Sequence, residues 1–97
     1  MRMYNPPHPG EFIREVYLEP YHLSVRLVAA KLKVSPSTFS RLIKGQINVS
    51  SDMAIRLSKA FGRTPESWLI MQNNFNLWQT QQKVNFEGVE KLSFAPQ

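Results

Sequence analysis

Short hydroxyl side chains beside an arginine are the residues of this 97-residue chain best suited to chemistry. They occur in the segment SPSTFSR, which begins like a helix, since Ser35 can cap it and Pro36 fits its first position. Short hydroxyls let a helix end approach base edges in the DNA major groove, and an arginine can read guanine or clamp a phosphate. The segment therefore predicts base contacts from Ser37, Thr38, Ser40 and Arg41.

Further polar residues flank this helix where a DNA backbone would run. Lys44, Gln46 and Asn48 lie at and beyond its end, and Ser24 and Arg26 lie at the start of the preceding helix. Contacts of this kind to phosphates fix orientation rather than sequence choice. Any one of these residues could equally be a helix cap or a solvated surface position, so the prediction rests on the agreement of the whole pattern.

The positive charge of the chain is concentrated in the same region. No acidic residue occurs between Glu19 and Asp52, and the formal net charge of +5 comes entirely from that stretch. A field of one sign in so small a chain favours a polyanionic partner, with nucleic acid ranked above a membrane or an acidic protein. A solvated basic face is the plain alternative.

Catalysis is disfavoured because its usual parts are missing. The two histidines, His8 and His22, have no partner at metal-ligand spacing, and the sequence contains no cysteine, phosphate-binding loop or GxSxG elbow. His8 precedes a proline at a helix entry, where a capping role is the simpler interpretation. We expect no enzymatic activity, no metal and no cofactor.

Length and composition are those of one globular domain. A chain of 97 residues can bury a single core, and no apolar run approaches the ~18 residues of a membrane span. Residues 1–10 lack the apolar region of a secretory signal. We therefore expect a cytoplasmic protein without membrane contact.

Caps and apolar spacing predict five helices and an all-α fold. The first begins at HPGE, residues 8–11, and runs to about Leu18, where Pro20 stops it. The other four start from caps at Ser24, at Ser35, at Ser50 or Ser51, and at Thr64, and they end near Lys33, Gly45, Gly62 and Gln82. Beyond Gln82 the apolar residues fit either an alternating strand interrupted by Gly88 or an irregular arm.

Helices two and three have the features of a helix-turn-helix. Ala29 provides the small residue where two helix backbones approach, and Val34 provides the apolar residue inside the turn. Phe39 and Leu42 would pin the second helix of the pair. Lys33 departs from the pattern, since glycine usually relieves the strained backbone at this turn.

The sequence resembles the HigA-type antitoxins of bacterial toxin–antitoxin modules, within the Xre/Cro-like helix-turn-helix proteins. The resemblance covers about residues 8–80. It rests on HPGEFIRE (8–15), LEP (18–20), VSPS (34–37), SRLIKG (40–45), PESWL (65–69) and MQ (71–72). The helix-turn-helix alone indicates a regulator, whereas HPGE joined to PESWL is the specific part.

The resemblance implies a lambda-repressor-like domain at residues 1–81 and a C-terminal extension at 82–97. It implies a homodimer that binds palindromic operator DNA, represses its own operon and neutralises a small basic, RelE-like mRNA endonuclease. Ser37, Thr38, Ser40 and Arg41 would read DNA, with backbone contacts from Ser35, Lys44 and Asn48. A stand-alone Xre-family repressor without a toxin is the alternative.

The last helix and the tail are the candidate dimer seam, because they carry more apolar surface than the core needs. Within it, Trp68 is more readily a core residue, and Trp78 fits core and seam equally well. Glu87 and Glu90 could contact a basic toxin or pair with the neighbouring lysines. We assign no toxin-binding residue.

Overall fold

The computed structural model describes residues 5–95, which form five helices followed by an arm. The all-α prediction is confirmed. The helices are α1 (residues 9–21), α2 (Val25–Leu32), α3 (Pro36–Ile43), α4 (Ser51–Phe61) and α5 (Pro65–Lys83). Residues 84–95 hold no strand and one turn, so the irregular arm is the correct alternative. The sequence-derived segments 1–81 and 82–97 include residues 1–4 and 96–97, which lie outside the described residues.

Pro20 does not stop α1, contrary to the sequence-based prediction. The helix is α-helical over Pro9–Ile13, π-helical over Arg14–Leu18 and α-helical again over Glu19–Tyr21. The wider π turn, in which the Glu19 N–H reaches the Arg14 carbonyl, accommodates a proline that lacks an N–H and would crowd the preceding turn. Val16, which lies within the π turn, is 40% exposed.

Three helices end in the same hydrogen-bonded turn. In each, one residue in the left-handed conformation follows the helix, and two N–H groups reach back to the last free carbonyls. These residues are His22 (φ 55°), Lys33 (φ 63°) and Gly45 (φ 75°), so only the third is a glycine. The N-terminal caps are those predicted, with Ser50 chosen over Ser51 for α4.

The core is formed by α1, the helix-turn-helix pair, α4 and the first half of α5. Ala29, Phe39, Leu42 and Trp68 are fully buried, which confirms the predicted helix-turn-helix contacts and the core position of Trp68. Trp78 is half-buried.

Candidate nucleic-acid interface

The first turn of α3 carries a connected cluster of hydroxyls. The Ser35 Oγ accepts the Thr38 N–H at 3.1 Å and lies 2.8 Å from the Thr38 Oγ1, to which it donates. The exposed Ser37 Oγ lies 3.4 Å from the Ser35 Oγ. Because Thr38 accepts from Ser35, the Thr38 hydroxyl hydrogen is left to donate outward. The cluster thus offers both donors and acceptors at one helix end.

Cations follow the hydroxyls along the same helix. Ser37, Arg41 and Lys44 recur at helical spacing, so they share one face of α3, and all three are exposed. Arg26 is also exposed, near the start of α2. Within residues 5–95 the side-chain salt bridges use only Arg14 and Arg56 as cations. Arg26, Arg41 and Lys44 take part in none of these bridges, so their charge is available to an anionic partner.

Of the nine candidate residues, the structure joins some directly and leaves others apart. Ser35, Ser37 and Thr38 contact one another, and Ser40 is half-buried on the same helix. Arg41 and Lys44 lie on the exposed face of α3, whereas Ser24 and Arg26 lie at the start of α2 and Asn48 lies in the loop after α3. The Ser24 Oγ accepts the Leu27 N–H at 3.0 Å, which makes it the α2 cap as well as an exposed hydroxyl.

His8 holds the far end of α3 in place. Its Nδ1 accepts the Gly10 N–H at 2.9 Å and caps α1, as predicted for a capping histidine. His8 is 4% exposed, its ring packs edge-on against Phe75 at 5.0 Å, and a Cβ added at Gly45 would lie 3.6 Å from the ring. Burial lowers the pKa of His8, while the Ile47 backbone and the Glu11 carboxylate oppose that shift less strongly. A neutral ring is therefore favoured, as its acceptor role requires.

Arg56 fastens the turn between α2 and α3. Its Nη1 donates to the Leu32 carbonyl at 2.8 Å and the Lys33 carbonyl at 3.3 Å, and its Nε binds Asp52 one turn earlier on α4. These contacts satisfy carbonyls that the end of α2 leaves free. The guanidinium thus ties α4 to the start of the turn between α2 and α3.

Gln72 fastens the loop that leaves α3. It is 3% exposed, its Oε1 accepts the Val49 N–H at 2.7 Å, and its Nε2 donates to Asn48 at 3.2 Å. The sequence alone predicts no role for Arg56 or Gln72. For Gln72 a signal existed, because a polar residue occupies an apolar position between Trp68 and Phe75 on α5. The contacts of Arg56, 23 and 24 residues away, left no such signal.

Two further properties of the described chain bear on function. No group of three or more potential metal-ligating side chains occurs within residues 5–95. In the same range, no helix is both long and apolar enough to cross a membrane.

Known proteins resemble this chain in sequence and in fold. Residues 13–69 match the helix-turn-helix family model. The HTH-type transcriptional regulator YddM of Escherichia coli K12 is 36% identical over 92 residues, covering 95% of this chain and 97% of its own. Antitoxin HigA-1 of Vibrio cholerae is 34% identical over 83 residues, covering 86% and 78%. The structure of antitoxin GraA in complex with its operator superposes with a TM-score of 0.85 at 34% identity, covering 96% of both chains.

Proposed function

The chain belongs to the HigA-type antitoxins of the Xre-like helix-turn-helix family, and from this premise we propose that it acts as the DNA-binding antitoxin of a type II toxin–antitoxin module. Members of this family are regulators and not enzymes, so the protein is a non-enzymatic binding module. In the proposed role it represses the operon that encodes it and neutralises the toxin made from the same operon.

The observation that supports this role best is the exposed face of α3. A hydroxyl cluster opens the helix, exposed cations follow it, and a buried core that includes Phe39 and Leu42 fixes its other side. The antitoxin GraA, with the same fold at 34% identity, has been solved in complex with its operator. Operator DNA is therefore the partner we propose for this face.

Within this proposal, Ser37, Thr38, Ser40 and Arg41 read base edges in the major groove. Lys44 and Asn48 beyond them contact phosphates. On the other side, Ser24, Arg26 and Ser35 contact phosphates as well. The operator is palindromic, because a two-fold dimer presents two copies of α3 to half-sites about one helical turn apart.

The second half of α5 and the arm form the dimer seam in this proposal. The described chain measures 62 × 25 × 23 Å, and every residue from Gln81 to Ala95 is exposed, so this end projects from the core. Its apolar side chains are 40% to 84% exposed: Leu77, Val84, Phe86, Val89, Leu92 and Phe94. A second copy of the same surface would cover them, as a two-fold interface requires.

The toxin partner in this proposal is a small basic, RelE-like mRNA endonuclease. Within residues 5–95, Glu87 and Glu90 form no salt bridge with Lys83 or Lys91, so both carboxylates remain available to a basic surface. A stand-alone repressor is the second candidate, and one observation favours it: YddM, 36% identical across nearly its full length, is described as a transcriptional regulator.

Co-expression separates the two candidates. The tagged chain is produced with the product of the adjacent short reading frame, and growth is compared with cells that express the neighbour alone. We expect arrest by the neighbour, rescue by this chain and a complex that co-purifies. A variant with Arg41 and Lys44 replaced by alanine is the control, because it should lose DNA binding and still rescue growth. A harmless neighbour that forms no complex would leave the stand-alone repressor.

A further inference from the structure

A buried amide joins α5 to the loop that leaves α3. Gln72 contacts three partners: the Val49 N–H at 2.7 Å, the Asn48 Oδ1 at 3.2 Å and the Asn76 Oδ1 at 3.1 Å. Gln72 and Val49 are buried, whereas Asn48 is exposed. The surface residue is therefore attached to an interior hydrogen-bond network.

The direction of each hydrogen bond in this network is fixed by the backbone. A main-chain N–H can only donate, so Gln72 must present its oxygen to Val49. Its Nε2 then points away from Val49 with two hydrogens to donate. Both asparagines must accept these hydrogens with their oxygens. The Val49 N–H alone therefore determines which amide atom each of the three side chains presents.

The consequence for Asn48 concerns its other amide atom. Since its Oδ1 is turned inward to Gln72, its Nδ2 and both hydrogens face away from the network, at the exposed surface of the loop. The residue lies four positions after Lys44, on the segment that follows the candidate recognition helix. A pair of N–H donors there suits a phosphate oxygen, whereas an amide oxygen would repel one.

We propose that Gln72 is a positioning residue for DNA binding, which acts by holding the Asn48 amide with its donors toward a backbone phosphate. This inference rests on the proposed operator binding and adds to it a residue on α5 that touches no DNA. The Asn48 contact carries no positive charge, so it contributes affinity without counterion release.

Two aspartate variants test the direction of the donors. Asn48→Asp keeps an oxygen for Gln72 and replaces the outward donors by an acceptor, and Asn76→Asp makes the same change on the other side of Gln72. Binding of the full chain is measured by fluorescence anisotropy on a duplex from upstream of its own reading frame and on a shuffled duplex. We expect Asn48→Asp to weaken binding to both duplexes about tenfold relative to Asn76→Asp. Equal binding by the two variants would overturn the proposal.

A neutral variant gives an independent readout. Asn48→Ala is expected to weaken binding several-fold and to leave the salt dependence unchanged, whereas loss of a lysine contact reduces the slope by about one unit. Thermal unfolding of each variant shows whether the fold is retained. A reduced salt slope in Asn48→Ala, or undiminished affinity, would contradict a neutral donor contact.

The role of Gln72 is tested through Asn48. Gln72→Glu keeps an acceptor for Val49 and removes the Nε2 donor, so Asn48 should turn its own nitrogen inward. We expect about tenfold weaker binding in the wild-type background and less than about twofold in an Asn48→Ala background. An equal loss in both backgrounds would mean that Gln72 acts through charge or folding, against the proposal. Should the unaltered chain not prefer its upstream duplex, the proposed function itself would fail, a distinct result.

Discussion

Gly10 lies directly under the backbone carbonyl of Leu42. A Cβ added at position 10 would overlap the Leu42 oxygen and stand 2.7 Å from its carbon and 2.9 Å from the Ile43 Cα. The first turn of α1 is thus pressed against the last turn of α3, main chain to main chain. This close approach gives a physical reason for glycine in the HPGE segment, since only a residue without a side chain fits there.

Gly10→Ala should therefore destabilise the protein although alanine is the better helix former. The added methyl meets backbone rather than a flexible side chain, so α1 and α3 must separate, at a cost of about 1–3 kcal/mol. Gly88→Ala is the matched control, because nothing lies within 4 Å of a Cβ at that position. Urea denaturation measures both. Equal stability of the two variants would show that α1 and α3 can separate without lowering the free energy of unfolding.

Lys33→Gly should stabilise the protein. Lys33 holds φ 63° and ψ 41° between α2 and α3, a left-handed conformation that costs a side-chain-bearing residue about 1–2 kcal/mol. Glycine also has more conformational freedom in the unfolded chain, and this offsets part of the gain. We therefore expect a net stabilisation of about 0.5–1 kcal/mol. Lys31→Gly removes the same charge inside α2 and should cost about 1 kcal/mol. Opposite signs in denaturant melts would confirm the strained turn.

The sequence predicted most of the fold because the residues that start and end its helices act locally. Ser24, Ser35 and Thr64 cap the helices expected of them, and Gly45 ends α3, since caps depend on neighbours within one turn. Pro20 was misread for a physical reason. A proline ends an ideal α-helix, but a π turn before it removes the clash, and nothing in the nearby sequence announces that turn.

The sequence predicted the exposed residues of the candidate site but not the contacts that hold them in place. The α3 residues follow from helical spacing and charge, which are visible in one segment. Arg56 and Gln72 act on residues 23 or 24 positions away, so their roles emerge only when the helices pack. Whether the surface residues contact DNA stays a prediction.

Acid should destabilise the protein through His8. Burial lowers its pKa in the folded state, so below the ordinary value of about 6.5 the unfolded chain binds more protons than the folded one. Stability is then fully present above about pH 6.5 and falls as the pH drops toward the folded-state pKa. His8→Asn keeps a capping side chain without a titrating ring and should flatten this dependence.

Urea melts between about pH 7.5 and about 5.5 measure this effect. His22→Asn is the control, because that ring is exposed and asparagine tolerates the left-handed backbone at position 22. If the wild type and His8→Asn lose stability to the same extent as the pH falls, His8 is not the cause of that loss.

Arg41 and Lys44 should differ in what their loss does to DNA binding. Arg41→Ala should cost about 1–3 kcal/mol on the upstream duplex and relax sequence choice, because a base contact is lost. Lys44→Ala should weaken all duplexes alike and flatten the salt slope by about one unit. Lys59→Ala removes the same charge from an exposed position on α4, outside the proposed interface, and should change DNA binding little. Unchanged specific binding in Arg41→Ala would refute the recognition-helix assignment.

Removal of the arm should convert the proposed dimer to a monomer. Residues 84–95 are exposed throughout, so a chain ending at Lys83 keeps its helical core while it loses five of the apolar side chains assigned to the seam. Sedimentation equilibrium should show the full chain as a dimer and the truncated chain near monomer mass. Ile55→Ser, which alters a half-exposed apolar residue on α4, should remain dimeric.

Since two linked copies of α3 bind a palindrome more tightly than one, the truncated chain should also lose affinity for the upstream duplex. A truncated chain that stays dimeric would move the seam off the arm, and a monomeric full chain would exclude a dimer formed without DNA.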